Sequence, residues 1–223
     1  MFSELFLSAL ALTSYSGCDI HIPANTRLVG PLTITQSPDC EQSLLTIDGP
    51  NVQIIGVRLI GNSNEREFIE NAHLISAKNV DNLYVQGSMF ENINGDGLII
   101  WSGDNVTIAN NSIVGASDGD YRNWISLIDT QNVRIIGNTL WTPSVRMDMP
   151  GGITIEPDTI DQSVTDVMIE RNVFINRNSN HYEAAIQIWR EPWWRKTKSV
   201  VERITQRRNI LVGHFSGMVY DAS

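Results

Sequence analysis

One short phrase recurs along most of the 223 residues and limits what the chain can fold into. In Ile153-Thr154-Ile155-Glu156, apolar residues alternate with polar ones, as in a β-strand that is buried on one face. Each copy can bury its apolar face only against its neighbours, so a tandem series predicts a solenoid. Aligned by this pattern, the seven copies begin at Leu45, Leu74, Leu98, Ser126, Ile153, Ile186 and Met218.

Two further strands are predicted after each copy, with no helix between them. The second strands are expected at residues 51–55, 82–85, 105–108, 132–136, 167–169 and 200–204. The third strands are expected at residues 57–60, 88–90, 112–114, 139–141, 173–175 and 210–212. Three strands per repeat predict an all-β fold, a parallel β-helix in which each repeat is one coil and the stacked coils form three sheets.

The junction between the second and third strands supports this interpretation. It carries Gly or Asn in most copies, and both residues tolerate the left-handed backbone of a sharp corner. Asparagine side chains at one height of stacked coils can bond to one another. The sequence therefore predicts a ladder of Asn111, Asn138, Asn172 and Asn209.

This pattern resembles the right-handed parallel β-helix family of pectate lyases, polygalacturonases and phage tailspike polysaccharide depolymerases. Residues 17–26, G-C-D-I-H-I-P-A-N-T, are similar to the segment that leads into the first coil of tailspike-like members, where a helix caps the solenoid. The resemblance covers nearly the whole chain. It implies a polysaccharide or oligosaccharide partner, a homotrimer, and an extracellular or virion-associated location. It does not choose an activity, because the fold hosts lyases, hydrolases, epimerases and non-catalytic adhesins.

The domain prediction is a cap helix over residues 1–17 and one β-helix domain over residues 18–223. Phe2, Leu5 and Phe6 begin an apolar stripe at helical spacing, and Glu4 together with the missing basic start argues against a secretion signal. The last repeat starts a coil that the sequence does not finish, so a C-terminal truncation is expected. Cys18 and Cys40 either form a disulfide or remain buried thiols, and the sequence leaves both possibilities open.

Charge excludes some partners. The net charge of -9 argues against non-specific binding to nucleic acid or anionic membrane, and no segment is long enough to cross a membrane. The charge is uneven, because seven of the sixteen Lys and Arg residues lie between Arg190 and Arg208. The sequence therefore does not exclude a local anion-binding site near the C-terminus.

If Ile153 and Ile155 point into the core, Thr154 and Glu156 point outward. One outward column is then predicted as Thr46, Ile75, Ile99, Leu127 or Ser126, Thr154, Gln187 and Val219. The other is predicted as Asp48, Ala77, Trp101, Asp129, Glu156, Trp189 and Asp221.

The second column suggests carbohydrate chemistry. Sugars stack on aromatic rings, which Trp101 and Trp189 would supply. Asp129 and Glu156 on adjacent coils would approach the carboxylate separation of glycosidases, and Asp158 would give a wider one. Asp is also a frequent turn residue, so Asp129 and Asp158 have an ordinary structural explanation, whereas Glu156 ends an otherwise apolar strand and is more informative.

Long loops flank these coils and are expected to form the walls of a groove. The substrate-binding residues predicted there are Tyr121, Arg122, Arg146, Arg190, Trp193 and Trp194. No cofactor and no metal are expected, since Asp118 and Asp120 fall short of a calcium loop and the four histidines are scattered.

Three functions remain at this point. The first is a glycoside hydrolase that pairs Glu156 with Asp129 or Asp158 as acid and base. The second is a polysaccharide lyase whose base would come from Arg146, Arg190 or a nearby Lys. The third is a non-catalytic glycan-binding or structural solenoid.

Overall fold

The computed structural model describes residues 3–4, 14–63, 69–115, 123–142, 152–177, 184–189 and 200–222. Within these residues all regular structure is β-strand, and the paired strands run parallel. The described part of the chain has no helix long and apolar enough to cross a membrane. A parallel β-helix is therefore confirmed; its right-handed winding remains a prediction from the handedness of parallel crossovers.

The recurring phrase forms the first sheet, to which each coil contributes one strand. Eight described strands belong to it: β3 (Ile20–Pro23), β5 (Leu45–Asp48), β7 (Ile75–Lys78), β11 (Leu98–Ile100), β14 (Ile125–Leu127), β17 (Ile153–Ile155), β20 (Ile186–Trp189) and β23 (Val219–Ala222).

The second and third predicted sheets are the two arms of one larger sheet. They are joined because β4 (Thr26–Gln36) and β6 (Val52–Ile60) continue through the corner between the arms. The second arm contains β8 (Val80–Asp81), β9 (Leu83–Gln86), β12 (Gly103–Ala109), β15 (Thr130–Ile136), β18 (Ser163–Glu170) and β21 (Val200–Arg207). The third arm contains β10 (Met89–Glu91), β13 (Ser112–Val114), β16 (Thr139–Thr142), β19 (Val173–Asn176) and β22 (Ile210–Gly213).

The predicted cap helix over residues 1–17 is not supported. The described residues of that segment are strands, β1 (Ser3–Glu4) and β2 (Ser14–Gly17), and both pair with β4. The free edge of β4 offers backbone hydrogen bonds, which a helical hydrophobic pattern read from the sequence alone does not reveal.

Cys18 and Cys40 form a disulfide, which resolves the open choice between a disulfide and two buried thiols.

Inward-facing side chains of all three sheets form one continuous apolar core. Ile and Leu fill most positions, and Phe90, Phe174 and Trp124 are its largest fully buried members. The rings of Trp124 and Phe174 lie 6.2 Å apart between centroids. The buried core therefore extends along the stack from Ile22 to Val201, and Leu211 and Met218 of the last described coil pack against it partly buried.

The predicted asparagine ladder is confirmed at the corner between the second and third arms. Asn111 Nδ2 donates to Asn138 Oδ1 at 3.0 Å, and Asn138 Nδ2 donates to Asn172 Oδ1 at 3.0 Å. Asn172 continues to Asn209 at 3.1 Å. The residue before each ladder position has a left-handed backbone, for example φ 67° at Gly137, which explains the Gly and Asn there.

A second asparagine column lies on an exposed corner and was not predicted. Asn51 donates to Asn25 at 2.9 Å, Asn82 to Asn51 at 3.0 Å, and Asn105 to Asn82 at 2.6 Å. These residues also have left-handed backbones, with φ between 54° and 61°. The signal was present in the sequence, because four of the predicted second strands begin with Asn.

Candidate functional site

The register of the first sheet fixes which side chains share its outward face. Ile99 pairs with Ser126, Ser126 with Thr154, Thr154 with Gln187, and Gln187 with Tyr220. The predicted column is thus confirmed from Ile99 to Gln187. Thr46, which pairs with Ser76, also lies in this column as predicted, and two positions were wrong: Ser76 replaces Ile75, and Tyr220 replaces Val219.

The neighbouring column contains the residues on which the functional prediction depends. Trp101 N donates to Ala77 O at 2.9 Å, Ile128 N to Ile100 O at 2.8 Å, and Glu156 N to Leu127 O at 3.1 Å. In a parallel ladder these bonds align four residues across successive coils. We call this series the tryptophan row: Trp101, Ile128, Glu156 and Trp189.

Three members predicted for this column were therefore wrong. Lys78, Ile128 and Ala222 occupy the positions assigned to Ala77, Asp129 and Asp221. Each error is a shift of one residue, which moves a side chain to the opposite face of the strand. The run Ile125-Ser126-Leu127-Ile128 is apolar at both possible registers, so alternation alone could not separate them.

Asp129 is a corner residue. Its backbone is left-handed, with φ 55°, and its Oδ1 accepts a hydrogen bond from Ser163 N at 3.1 Å. Its carbonyl accepts from Gly103 N at 3.2 Å. The carboxylate therefore links its own coil to the next, which is the ordinary turn role of Asp.

Asp158 belongs to an insertion in the next coil that begins directly after Glu156. Leu127 pairs with Ile155 and Thr130 with Val164, so residues 156–163 lie opposite residues 128–129 alone. Gln162 Oε1 accepts from Asp158 N at 2.7 Å and from Thr159 N at 3.0 Å, which closes the insertion into a compact turn. Glu156 is half-buried at the start of this turn.

Aromatic side chains concentrate at the C-terminal end of the face. The rings of Trp189 and Tyr220 lie 5.4 Å apart between centroids at 58°, a tilted contact typical of aromatic pairs. Trp189 Nε1 also donates to Gln187 Oε1 at 3.2 Å. Tyr220 was missed at the sequence level because the one-residue shift placed it on the inward side.

The centre of this face is polar and buried. Ser126, Thr154 and Gln187 are 0%, 2% and 1% exposed, although they occupy outward positions. Asn123 Nδ2 donates to Ser126 Oγ at 3.0 Å, while Asn123 Oδ1 and Thr154 Oγ1 have no hydrogen-bond partner. A buried polar atom left without a partner costs about 1–3 kcal/mol.

A polar network extends from this centre into the preceding coil. Asp96 Oδ1 accepts from Asn123 N at 2.8 Å, and Asp96 N donates to His73 Nδ1 at 2.9 Å. His73 and Asp96 are 4% and 1% exposed. The network positions Asn123, and through it Ser126, at the edge of the outward face. Scattered His and Asp residues in different repeats gave no sequence signal for it.

The predicted loop residues lie outside the described residues. This holds for Tyr121, Arg122, Arg146, Arg190, Trp193 and Trp194. Among the described residues, no group of three His, Cys, Asp or Glu side chains is placed to hold a metal ion.

Fold and face together define a parallel β-helix whose first sheet carries Trp101, Glu156 and Trp189 in one outward row. Sequence comparison found no matching protein family and no matching curated protein. Among solved structures, the chain is similar to the A-module of Azotobacter vinelandii mannuronan C-5 epimerase AlgE4, with 10% identity and a TM-score of 0.29, covering 94% of this chain and 87% of that one. The AlgE6 A-module from the same organism gives 10% identity and a TM-score of 0.25, covering 94% and 89%.

Proposed function

We propose that the protein acts on a polysaccharide along the outward face of its first sheet, as a glycoside hydrolase in which Glu156 is the catalytic acid. The observation that carries the proposal is the tryptophan row. Trp101 and Trp189 stand on either side of Glu156 in one line across the coils.

The spacing of the row suits a chain of sugars. Adjacent strands lie about 4.8 Å apart, so Glu156 is about 5 Å from Trp189 and about 10 Å from Trp101 along the stack. Indole rings would support sugar rings on both sides of the carboxyl group, and Tyr220 extends the aromatic surface beyond Trp189.

Asp158 is the better partner for Glu156 in this proposal. Asp129 already binds Ser163 N and holds a left-handed corner, which supports a structural role for it. Asp158 follows Glu156 by two residues within the same compact turn. A pair of carboxyl groups would supply the acid and base that glycoside hydrolysis requires.

The test measures the release of reducing ends from a panel of neutral and acidic polysaccharides. We expect Glu156→Gln to lower the rate at least about 100-fold, the usual contribution of a positioned general acid, with KM nearly unchanged. Asp129→Asn keeps the acceptor for Ser163 N and is the matched control, so it should retain most activity.

Two results would overturn this assignment. Undiminished activity of Glu156→Gln would show that Glu156 is not the catalytic acid. Loss of activity in Asp129→Asn with unchanged thermal stability would return Asp129 to the catalytic pair.

A second candidate is a solenoid that binds glycans without cleaving them. The engagement of Asp129 favours it, because one of the two predicted catalytic partners is committed to the backbone. Binding of an oligosaccharide that Trp101→Ala and Trp189→Ala weaken, with no product over days, would support this candidate. The bases required by the lyase hypothesis, Arg146 and Arg190, lie outside the described residues.

The assignment to a tailspike-like group, the homotrimer and the extracellular or virion-associated location stay proposals. The disulfide between Cys18 and Cys40 supports an oxidising location. Light scattering coupled to size-exclusion chromatography would test the trimer directly.

A further inference from the structure

Three arginines surround one buried carboxylate at the C-terminal end of the second arm. Arg207 Nη2 lies 3.0 Å from Glu170 Oε2, and Arg171 Nε lies 3.0 Å from Glu170 Oε1. Arg208 Nη1 is 3.9 Å from the same oxygen as Arg171. We call Arg171, Arg207, Arg208 and Glu170 the arginine corner.

This corner has an excess of positive charge that other described ion pairs lack. Arg58 is paired with Glu91, and Arg203 with both Asp166 and Glu202. In the arginine corner one carboxylate faces three guanidinium groups, within a chain of net charge -9. A local cation cluster in an acidic protein attracts anions that the rest of its surface repels.

The arginines keep unused donors facing solvent. The side chain of Glu170 is 4% exposed, whereas those of Arg171, Arg207 and Arg208 are 61%, 57% and 72% exposed. A guanidinium group has five N–H donors, and Glu170 uses only one each from Arg171 and Arg207. The remaining donors form the planar forks that bind carboxylate and sulfate groups with two bonds.

The backbone positions of two of these arginines are unusual. Arg171 and Arg208 have φ 56° and 55°, at the corner where earlier coils carry Gly56, Gly87 and Gly137. A left-handed backbone is unfavourable for a long side chain, and such strain is often associated with function. Two successive coils adopt this left-handed backbone at the corner where the three arginines meet.

We propose that the arginine corner binds the oxyanion of an acidic glycan, either a uronate carboxylate or a sulfate ester. The site lies on the second arm and is separate from the tryptophan row on the first sheet. The choice of a glycan as carrier rests on the proposed function; the anion site itself does not.

Glu170 would hold the site in place. Arg207 and Arg171 lower the pKa of this carboxyl group below its ordinary value, so it stays ionised near neutral pH and anchors both guanidinium groups. The Arg171 and Arg207 side chains are therefore held in place before a ligand binds, which reduces the conformational entropy lost on binding.

The experiment uses the full chain and calorimetric titration with four probes: an oligogalacturonate, a dextran sulfate oligosaccharide that carries no carboxylate, neutral dextran, and a single-stranded oligonucleotide. We expect binding of at least one acidic probe and none of dextran. The double variant Arg171→Gly/Arg208→Gly should weaken that binding about tenfold or more, because it removes two charge-assisted contacts. The uronate and sulfate probes decide which anion the site takes.

The glycine variant should stay folded, because earlier coils use Gly at the same corner and Glu170 keeps its bond to Arg207. Its melting temperature verifies this. The matched control is Arg27→Gln/Arg58→Gln, which removes two positive charges on β4 and β6 and should bind within about twofold of the parent, as expected for charges outside the contact.

Equal binding by parent and glycine variant would overturn the site, as would absence of binding of both acidic probes. Tighter binding of a single-stranded oligonucleotide than of either acidic glycan would show that the oxyanion bound at this site does not belong to a glycan. Loss of binding in Trp101→Ala and Trp189→Ala but not in the glycine variant would place the anion on the first sheet instead. Since these variants address different sheets, failure here is distinguishable from failure of the proposed function.

Discussion

Asparagine stabilises the corners of this solenoid in two different ways, according to whether its side chain is buried. Asn138 is 0% exposed and uses every polar atom of its side chain. Its Nδ2 donates to Ile108 O at 2.9 Å and to Asn172 Oδ1 at 3.0 Å. Its Oδ1 accepts from Asn111 N at 2.9 Å and from Asn111 Nδ2 at 3.0 Å. Removing it would leave groups on several coils unpaired.

We expect Asn138→Ala to lower the free energy of unfolding by about 3 kcal/mol, since four hydrogen bonds are lost and their partners stay buried. Asn138→Ser should cost less, because Ser88 occupies the same column and its Oγ accepts from Val57 N at 3.2 Å. Urea unfolding measures both. The control is Asn105→Gly in the exposed column, where Gly tolerates the left-handed backbone, and an equal loss in that variant would contradict the distinction between the two asparagine columns.

Residue identity allowed the inner ladder to be predicted but not the role of Asp129. Gly and Asn at the junction indicated a left-handed corner, and the structure places one there. At Asp129 the same turn chemistry and a catalytic carboxylate both fit the sequence. The contact that separates them, from Ser163 N, joins residues 34 positions apart and leaves no local signal.

The pairing of β18 with β21 depends on charge more than that of the other coils. Arg203 Nε and Nη2 both donate to the carboxylate of Asp166, at 2.6 and 2.7 Å, and the arginine corner joins the same two strands. Arg203 lowers the pKa of Asp166, and Arg207 together with Arg171 lowers the pKa of Glu170. The C-terminal coil should therefore be sensitive to acid.

A carboxyl group with a lowered pKa in the folded state contributes stability that is complete above its unfolded pKa and is lost as the pH falls toward the folded one. For Glu170 the ordinary value is 4.5, so the loss begins below about that pH. We expect the melting temperature of the parent to exceed that of Glu170→Gln at pH 7 and the difference to shrink toward pH 3.

The control for this measurement is Glu202→Gln, which removes an exposed carboxylate of the neighbouring strand β21. The melting temperature of Glu202→Gln should follow that of the parent between pH 7 and pH 3. A difference between parent and Glu170→Gln that stays constant down to pH 3 would show that Glu170 does not cause the acid sensitivity.

Strands could be predicted from the sequence better than their register. The second and third strands occur where the alternation placed them, including the least regular one, β21. Register errors arose where apolar residues were consecutive, as at Leu127 and Ile128, because hydrophobicity then fits both faces. The insertion after Glu156 was also hidden, since its closure depends on the side chain of Gln162.

The molecule as a whole is a linear stack, so its stability is distributed along one axis. Each coil contacts mainly the coils before and after it, and an end coil has only one such neighbour. The disulfide between Cys18 and Cys40 closes the first described coil of the stack. It therefore constrains a part of the chain that has few neighbours.

We expect Cys18→Ala/Cys40→Ala to lower the free energy of unfolding by about 3 kcal/mol, from the chain entropy of a loop with sequence separation 22. Hydrogen exchange should show faster opening of residues 14–47 and unchanged protection around the asparagine ladder. The parent in reductant should behave like the variant. Uniformly faster exchange along the stack would instead indicate a fully cooperative molecule.

If the protein binds a glycan as proposed, the tryptophan row sets a fixed distance between two of its binding positions. Trp101 and Trp189 are separated by three strand spacings, about 14 Å, and this distance can change only in steps of about 4.8 Å. A duplicated or deleted coil between them would lengthen or shorten the measured interval by one step. The length of glycan that such a protein selects would then change when a repeat is gained or lost, and no pocket would need to be reshaped.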